Sequence, residues 1–300
     1  MLSLTKGLVA LALINLPVEL TTGIIIIYLK EEIMDTKETI TNKKRPSEFV
    51  KENKMSYYHI MYIDKKNGKK RKIFSPKNFL KRLQHRIKIK YESNILSKYA
   101  YGFIKNVSIA DCARNHVGKK WIIKMDIYNF FPSIKKDRLK FLTEEEREIV
   151  TVKDGLVQGS PCSPVLSNIF LFDFDETIGG EFEKENITYS RYADDIILSG
   201  NGKPSWSYVK RVEQELLKLG LKLNYNKIKF EFNNNKQVVL GINVNNSCSI
   251  SLKKRKILRA KIHQGNMTDK DYGLLAHIKS VNEEQYNKIK SQKQKGEVIL

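Results

Sequence analysis

The chain is poor in the residues that staple small folds or ligate soft metals: it has three cysteines and five histidines in 300 residues. Cys112, Cys162 and Cys248 are far apart and form no CxxC or Cys/His ligand spacing. A zinc site, a disulfide framework and a cysteine nucleophile are therefore not expected, and a reducing, cytoplasmic setting fits best. No internal repeat is visible, which argues against a solenoid or propeller. Negative charge is also short. Lysine and arginine number 54 against 33 aspartates and glutamates, for a net charge of +21. Such a surplus favours a polyanionic partner, nucleic acid first, because each neutralised phosphate releases counterions. A lysine-rich solvated surface is the plainer alternative. With 41% apolar and 29% charged residues, the balance is that of a folded globular chain with a substantial core.

Uninterrupted apolar stretches are confined to residues 1–33, where Gly7–Ile14 and Gly23–Leu29 are broken by Pro17 and Glu19. Residues 7–29 have the length of a membrane anchor. A signal peptide is a weaker reading for lack of a small-residue cleavage site, and Met34 as the true initiator is a third. Further on, Tyr57–Ile63 and Arg71–Phe74 flank Asn67-Gly68, a hairpin signal with a strongly basic tip. Leu80, Leu83, Ile87 and Tyr91 recur at helical spacing, predicting an amphipathic helix over 79–96. Trp121–Ile127 reads as a strand closed by Phe130-Phe131-Pro132. Thr143-Glu144-Glu145-Glu146 has capping-box spacing and should open a short helix, so its acids are structural. A loop over 154–161 leads to a helix carrying Leu166, Ile169 and Phe172. Tyr189–Ser199 reads as two strands around a tight turn, and 206–219 as a helix stopped by Gly220. Val238–Val244 reads as a strand, with basic helices from Lys253 onward.

The strongest local signal is Tyr192-Ala193-Asp194-Asp195, an acidic pair between two apolar strand segments. In isolation it is a solvated turn. Adjacent carboxylates at a strand turn are costly unless a cation neutralises them, and Asp126 ends another apolar strand that side-by-side pairing would bring close. Phosphoryl transfer uses such a set: two metal ions ~4 Å apart clamp the attacking and leaving oxygens, and magnesium prefers carboxylate ligands.

Four segments in order resemble the palm motifs of reverse transcriptases: Lys124–Phe131 around Asp126, Gln158-Gly159-Ser160-Pro161-Cys162-Ser163-Pro164, Tyr192-Ala193-Asp194-Asp195, and Gly220–Lys227. The resemblance spans residues 57–290. It implies an α+β right-hand polymerase fold, with fingers over 34–105, a palm of antiparallel sheet and helices over 106–235, and a small helical, RNA-binding thumb over 236–300. It further implies an RNA-directed DNA polymerase with two Mg²⁺ held by Asp126 and Asp194 and supported by Asp195. Lys227 would approach the triphosphate as a charge or proton donor. Phe131 would be the steric gate against a ribose 2′-hydroxyl, Gln158 and Gly159 would line the dNTP pocket, and Arg71 would grip the triphosphate.

Within that family the chain looks most like bacterial retron enzymes, through Tyr101-Gly102-Phe103, Ala113–Gly118 with His116, Gln237–Gly241 and Leu274–Ile278. Cys112 and Leu240 stand where asparagine and threonine are usual in retron signatures. The retron likeness implies a structured noncoding RNA as template and primer, a branched RNA–DNA product (msDNA), and work with an effector or toxin protein in antiphage defence. His116, Lys253, Lys254, Arg255, Arg259 and Lys261 are the expected nucleic-acid contacts, since folded RNA is read through shape and phosphates. A defence or abortive-infection reverse transcriptase without a retron RNA, and an RNA-binding scaffold for a toxin, are the alternatives.

Overall fold

The computed structural model describes residues 46–64, 68, 70–94 and 96–296. The readings of residues 7–29 as an anchor and of Met34 as initiator, like Asn67 of the hairpin turn, lie outside these residues. Among the described residues, no helix is long and apolar enough to cross a membrane. The chain divides after Met55. The first unit contributes helix α1 (Pro46–Glu52).

The second unit opens with the expected hairpin, β1 (Tyr58–Asp64) and β2 (Lys70–Pro76), paired antiparallel from Tyr58↔Pro76 to Asp64↔Lys70. Gly68, between the two strands, takes a positive φ, +74°, which glycine adopts without a Cβ penalty. Helix α2 (Asn78–Glu92) follows and buries Leu80, Gln84 and Ile87. The Gln84 amide donates to the Tyr58 hydroxyl at 3.0 Å, which ties the helix to β1. Helix α3 (Ile109–Arg114) starts in a capping box built by Ser108 and Asp111.

A four-stranded antiparallel sheet forms the centre, in the order β6 (Thr188–Tyr192), β7 (Asp195–Gly200), β3 (Trp121–Asp126), β8 (Lys229–Phe232). Side chains alternate between its faces with period two. Trp121, Ile123 and Met125 share one face with their register partners Gly200, Leu198 and Ile196, and Ile122, Lys124 and Asp126 share the other with Ser199, Ile197 and Asp195. The first face is covered by α7 (Phe172–Lys184) and α8 (Trp206–Lys218). Tyr208 of α8 stacks on Trp121 at 5.8 Å and meets Phe182 of α7 edge-on. Val209, Val212 and Leu216 of α8 are fully buried at the expected helical spacing, each contributing about 1.5–3 kcal/mol relative to exposure.

The second face belongs to a core in which Ala110, Cys112 and Ala113 of α3 meet Ile122 and Ile197 of the sheet and the last third of the chain. That last third supplies Val239, Ile242, Val244 and Ile250, then Leu258, Ile278 and Ile289 from α9 (Leu252–His263), α10 (Asp269–Val281) and α11 (Glu283–Gly296). The three C-terminal helices thus share one core with the sheet.

Three sequence expectations need correction. Val238–Val244 is not one strand. It folds back as β9 (Val238–Val239) and β10 (Ile242–Asn243), because Leu240 and Gly241 both take positive φ, +47° and +85°, as in a two-residue type I′ turn. The loop over 154–161 begins instead in a small hairpin, β4 (Thr151–Val152) with β5 (Gly155–Leu156), turning at positive-φ Lys153 and Asp154. The helix expected around Leu166 and Phe172 is two helices, since α6 (Ser163–Phe170) ends at Leu171 before α7 begins. Elsewhere, Phe130–Ser133 forms the short helix α4, and Thr143 caps α5 (Glu144–Val150) through the anticipated box. Glu146 of that box also accepts from Tyr91 and Lys90, so its acid is structural.

Candidate active site

Asp126 is the last residue of β3 and faces Asp195, the first of β7, directly across the antiparallel ladder. Opposed residues project to the same face, so these carboxylates are neighbours by register alone. Asp194 occupies the two-residue loop between β6 and β7 with Ala193, whose φ of +57° at the first loop position matches a type II′ hairpin. Its carbonyl accepts the Ile127 N–H at 2.9 Å, which fastens this loop to the end of β3. Asp126 is held from the other side. Its carbonyl accepts the Asn224 N–H at 2.8 Å, and its carboxylate accepts from the Asn224 amide at 3.2 Å and from Lys227 Nζ at 2.5 Å.

The cluster is short of positive charge. Burial, followed by the charge of Asp126, raises the Asp194 pKa, with Lys227 and Arg71 opposing. For Asp195, burial and then the charges of Asp194 and Asp126 push the carboxyl up to about 6, against Lys227 and Lys124. Arg71, exposed on β2, is therefore near enough to act on the turn. Among the described residues, no three His, Cys, Asp or Glu side chains converge tightly enough to be a ready-made metal cage. The donor chemistry nevertheless suits Mg²⁺: three carboxylates, all oxygen donors, at a site whose own cations leave two acids raised.

The Gln158-Gly159 segment docks on the hairpin, where the Gln158 carbonyl accepts the Phe74 N–H at 2.9 Å. Gly159 has φ +111°, and a Cβ there would lie 2.7 Å from the Phe74 carbonyl and 2.8 Å from Ile73 Cγ2. Only glycine fits. Phe131 is half-buried, packed on Phe130 with ring centroids 5.1 Å apart.

A buried network beneath the Ala193-Asp194 turn was missed by the sequence reading. Arg191 and Asp175 are both fully buried and joined at 2.6 Å. The Arg191 Nη1 donates to the Ala193 carbonyl at 3.0 Å and Nη2 to Asn168 at 3.1 Å, while the Tyr189 hydroxyl donates to Asp175 at 2.6 Å. Burial works against the Arg191 charge, but Asp175 outweighs it and the guanidinium stays charged. An available signal was its alternation with Tyr189 on a strand face turned to α7, where a cation demands a buried acid.

The expected nucleic-acid contacts separate. His116 is fully enclosed, with Nδ1 2.7 Å from the Ser199 hydroxyl and Nε2 2.6 Å from that of Ser190. Burial, reinforced by Lys119, lowers its pKa to about 3. It is a core residue that knits the segment after α3 to the sheet, and its assignment as a nucleic-acid contact is overturned. On α9, Lys253 and Lys254 are exposed. Arg255 is half-buried, its Nε donating to the Ile250 carbonyl at 3.0 Å, and Lys261 pairs with Asp271 at 2.7 Å. Arg259 is half-buried, with a buried Nε that has no hydrogen-bond partner.

A family model described as reverse transcriptase (RNA-dependent DNA polymerase) matches residues 63–244. The retron Mx65 reverse transcriptase of Myxococcus xanthus is 29% identical over 282 residues, covering 82% of this chain, which spans 65% of that protein. The retron Ec73 and Ec86 reverse transcriptases of Escherichia coli are 30% and 29% identical, covering 76% and 77% of this chain, which spans 84% and 79% of their lengths. A solved foamy viral protease–reverse transcriptase in complex with double-stranded DNA has a TM-score of 0.45 at 18% identity, over 75% of this chain and 35% of that one, too remote to argue from.

Proposed function

Given that the chain belongs to the reverse transcriptase (RNA-dependent DNA polymerase) family, and within it to the retron type, we propose that it copies a structured RNA into DNA from dNTPs. One observation carries this reading: the register that opposes Asp126 to Asp195 and hangs Asp194 on the connecting turn. Asp126, Asp194 and Asp195 would hold two Mg²⁺, which would supply charge neutralisation to the phosphoryl transfer. Arg71 draws the triphosphate in from the hairpin side. Lys227, already on the Asp126 carboxylate, is placed to donate to developing negative charge. Gln158 and Gly159 form a pocket wall fixed to β2, and Phe131 excludes the ribose 2′-hydroxyl. The exposed Lys253 and Lys254 of α9 meet RNA phosphates, with Arg255, Arg259 and Lys261 on the same helix.

The retron type extends the proposal to a branched msDNA product made on the enzyme's own noncoding RNA, and to antiphage defence with an effector. The described cysteines are buried and unpaired, which suits the cytoplasm, where dNTPs are found. The test is Mg²⁺-dependent dNTP incorporation on an RNA template by wild type and Asp194→Ala. Loss of synthesis by more than about 10³-fold is expected. Synthesis that survives the substitution sinks the assignment.

A further inference from the structure

We infer that Phe103 is a specificity-determining residue, a second ring that braces Phe131 and so sets how strictly the pocket rejects a ribonucleotide. The inference rests on the reading of Phe131 as the sugar gate.

Phe103 adopts φ +64°, a conformation that aromatic L-residues avoid, and remains exposed at 42%. A large ring that is strained and incompletely buried gains little from the core. Such outliers persist only where the surroundings over-determine them, and they concentrate at functional sites. The surroundings here are specific. Gly102 is buried against the catalytic turn so closely that a Cβ would lie 2.4 Å from the Ala193 nitrogen. The Asn168 amide donates to the Gly102 carbonyl at 2.8 Å, and the Tyr101 N–H donates to the Arg191 carbonyl at 2.8 Å. Asn168 in turn accepts from the same Arg191 that holds the Ala193 carbonyl. The segment Tyr101-Gly102-Phe103 is thus fastened at successive residues to the strand and turn that carry Asp194.

The consequence is where the ring goes. Its centroid lies 6.1 Å from that of Phe131, with the planes tilted by 33°. Phe131 therefore has Phe130 on one side, 5.1 Å away, and Phe103 as a second ring neighbour. Phe130 is buried and belongs to the core; Phe103 is exposed and touches Phe131 from a segment locked to the carboxylate turn. The gate ring is in this way indexed to the metal-binding end of the site. Without Phe103, Phe131 gains room to yield to a 2′-hydroxyl.

The experiment compares kcat/KM for dNTP and rNTP incorporation on an RNA template in wild type, Phe103→Ala, Phe103→Gly, Phe103→Tyr and Phe131→Ala. Phe103→Ala is expected to lower the dNTP preference roughly two- to tenfold, the size of one ring–ring contact, through a lower KM for rNTP. Phe103→Gly should do the same while matching or exceeding wild-type thermal stability, because glycine suits the positive φ. Phe103→Tyr keeps the ring and should keep the preference. If Phe131→Ala relaxes selection and both truncations of Phe103 leave it at the wild-type ratio, the bracing role is overturned and the gate stands. If Phe131→Ala also leaves the ratio unchanged, the gate falls and the inference falls with it.

Discussion

Asp175→Asn should destabilise this protein far more than an ordinary substitution. The carboxylate is fully buried and is the counter-charge of a fully buried Arg191, with contacts of 2.6 Å to Nη2 and 2.9 Å to Nε. Removing one member of such a pair leaves an uncompensated charge in the interior, at a cost of about 3–5 kcal/mol. The neutral oxygens left to Arg191, on Ala193 and Asn168, do not replace a charge. A domain is stable by only about 5–15 kcal/mol in total, so roughly a fifth or more of the stability is at stake. Urea unfolding followed by far-UV circular dichroism measures it as a shift in midpoint at constant slope. The double variant Asp175→Leu, Arg191→Met removes both charges and should recover much of the loss, since apolar replacements of buried pairs are often neutral or better. Its polymerisation should nevertheless stay below wild type, because the hydrogen bond to the Ala193 carbonyl is gone. A loss under about 1 kcal/mol for Asp175→Asn would refute the reasoning.

Lys227→Ala is expected to slow single-turnover incorporation by on the order of 10²-fold, as for loss of one preorganised donor. Its stability should barely move, because the lysine side chain is 56% exposed and such pairs contribute about 0–1 kcal/mol; a large fall in melting temperature would recast it as structural. His116 predicts a pH dependence. The unfolded chain takes up this proton near pH 6.5 and the folded protein only near 3, so in between the unfolded state holds more protons and stability rises with pH. The contribution is fully present above pH 6.5 and is lost as pH falls towards 3, by up to ~1.4 kcal/mol per pH unit. His116→Gln should flatten the melting temperature across that window, and an unchanged slope would contradict the assignment.

The elements legible in the sequence were those whose cause is local. Gly68 announced the reversal between β1 and β2 because glycine takes its positive φ without a Cβ penalty, and Thr143 announced α5 because a capping box is a four-residue matter. The periodicity of Val209, Val212 and Leu216 located α8 to within a residue. Leu240 shows the limit. A leucine at φ +47° carries no turn signal, so Val238–Val244 read as one strand; the reversal is sustained by Val239, Ile242 and Val244 all reaching a core built by distant α3 and α9. Tertiary burial overrode local preference there.

The site divides along the same line. That Asp126, Asp194 and Asp195 come together was readable, because adjacent acids at a strand turn need an external reason and the paired strands bring them close. Their supports were harder to read, since each is half of a pair made by the fold: Asp175 with Arg191, signalled only by the strand alternation, Asn224 with Asp126, and Gly102 with Ala193. His116 was misassigned for the complementary reason. A histidine among basic and polar residues looks like a phosphate contact until Ser190 and Ser199, from two other strands, are seen to satisfy both ring nitrogens. It follows that the acids gather at one end of the sheet by register, whereas the geometry of the turn is determined from behind, by buried polar groups whose partners lie across the sheet. Substitutions in that second set should therefore trade stability and turn position together, which the paired Asp175 and Arg191 variants are suited to separate.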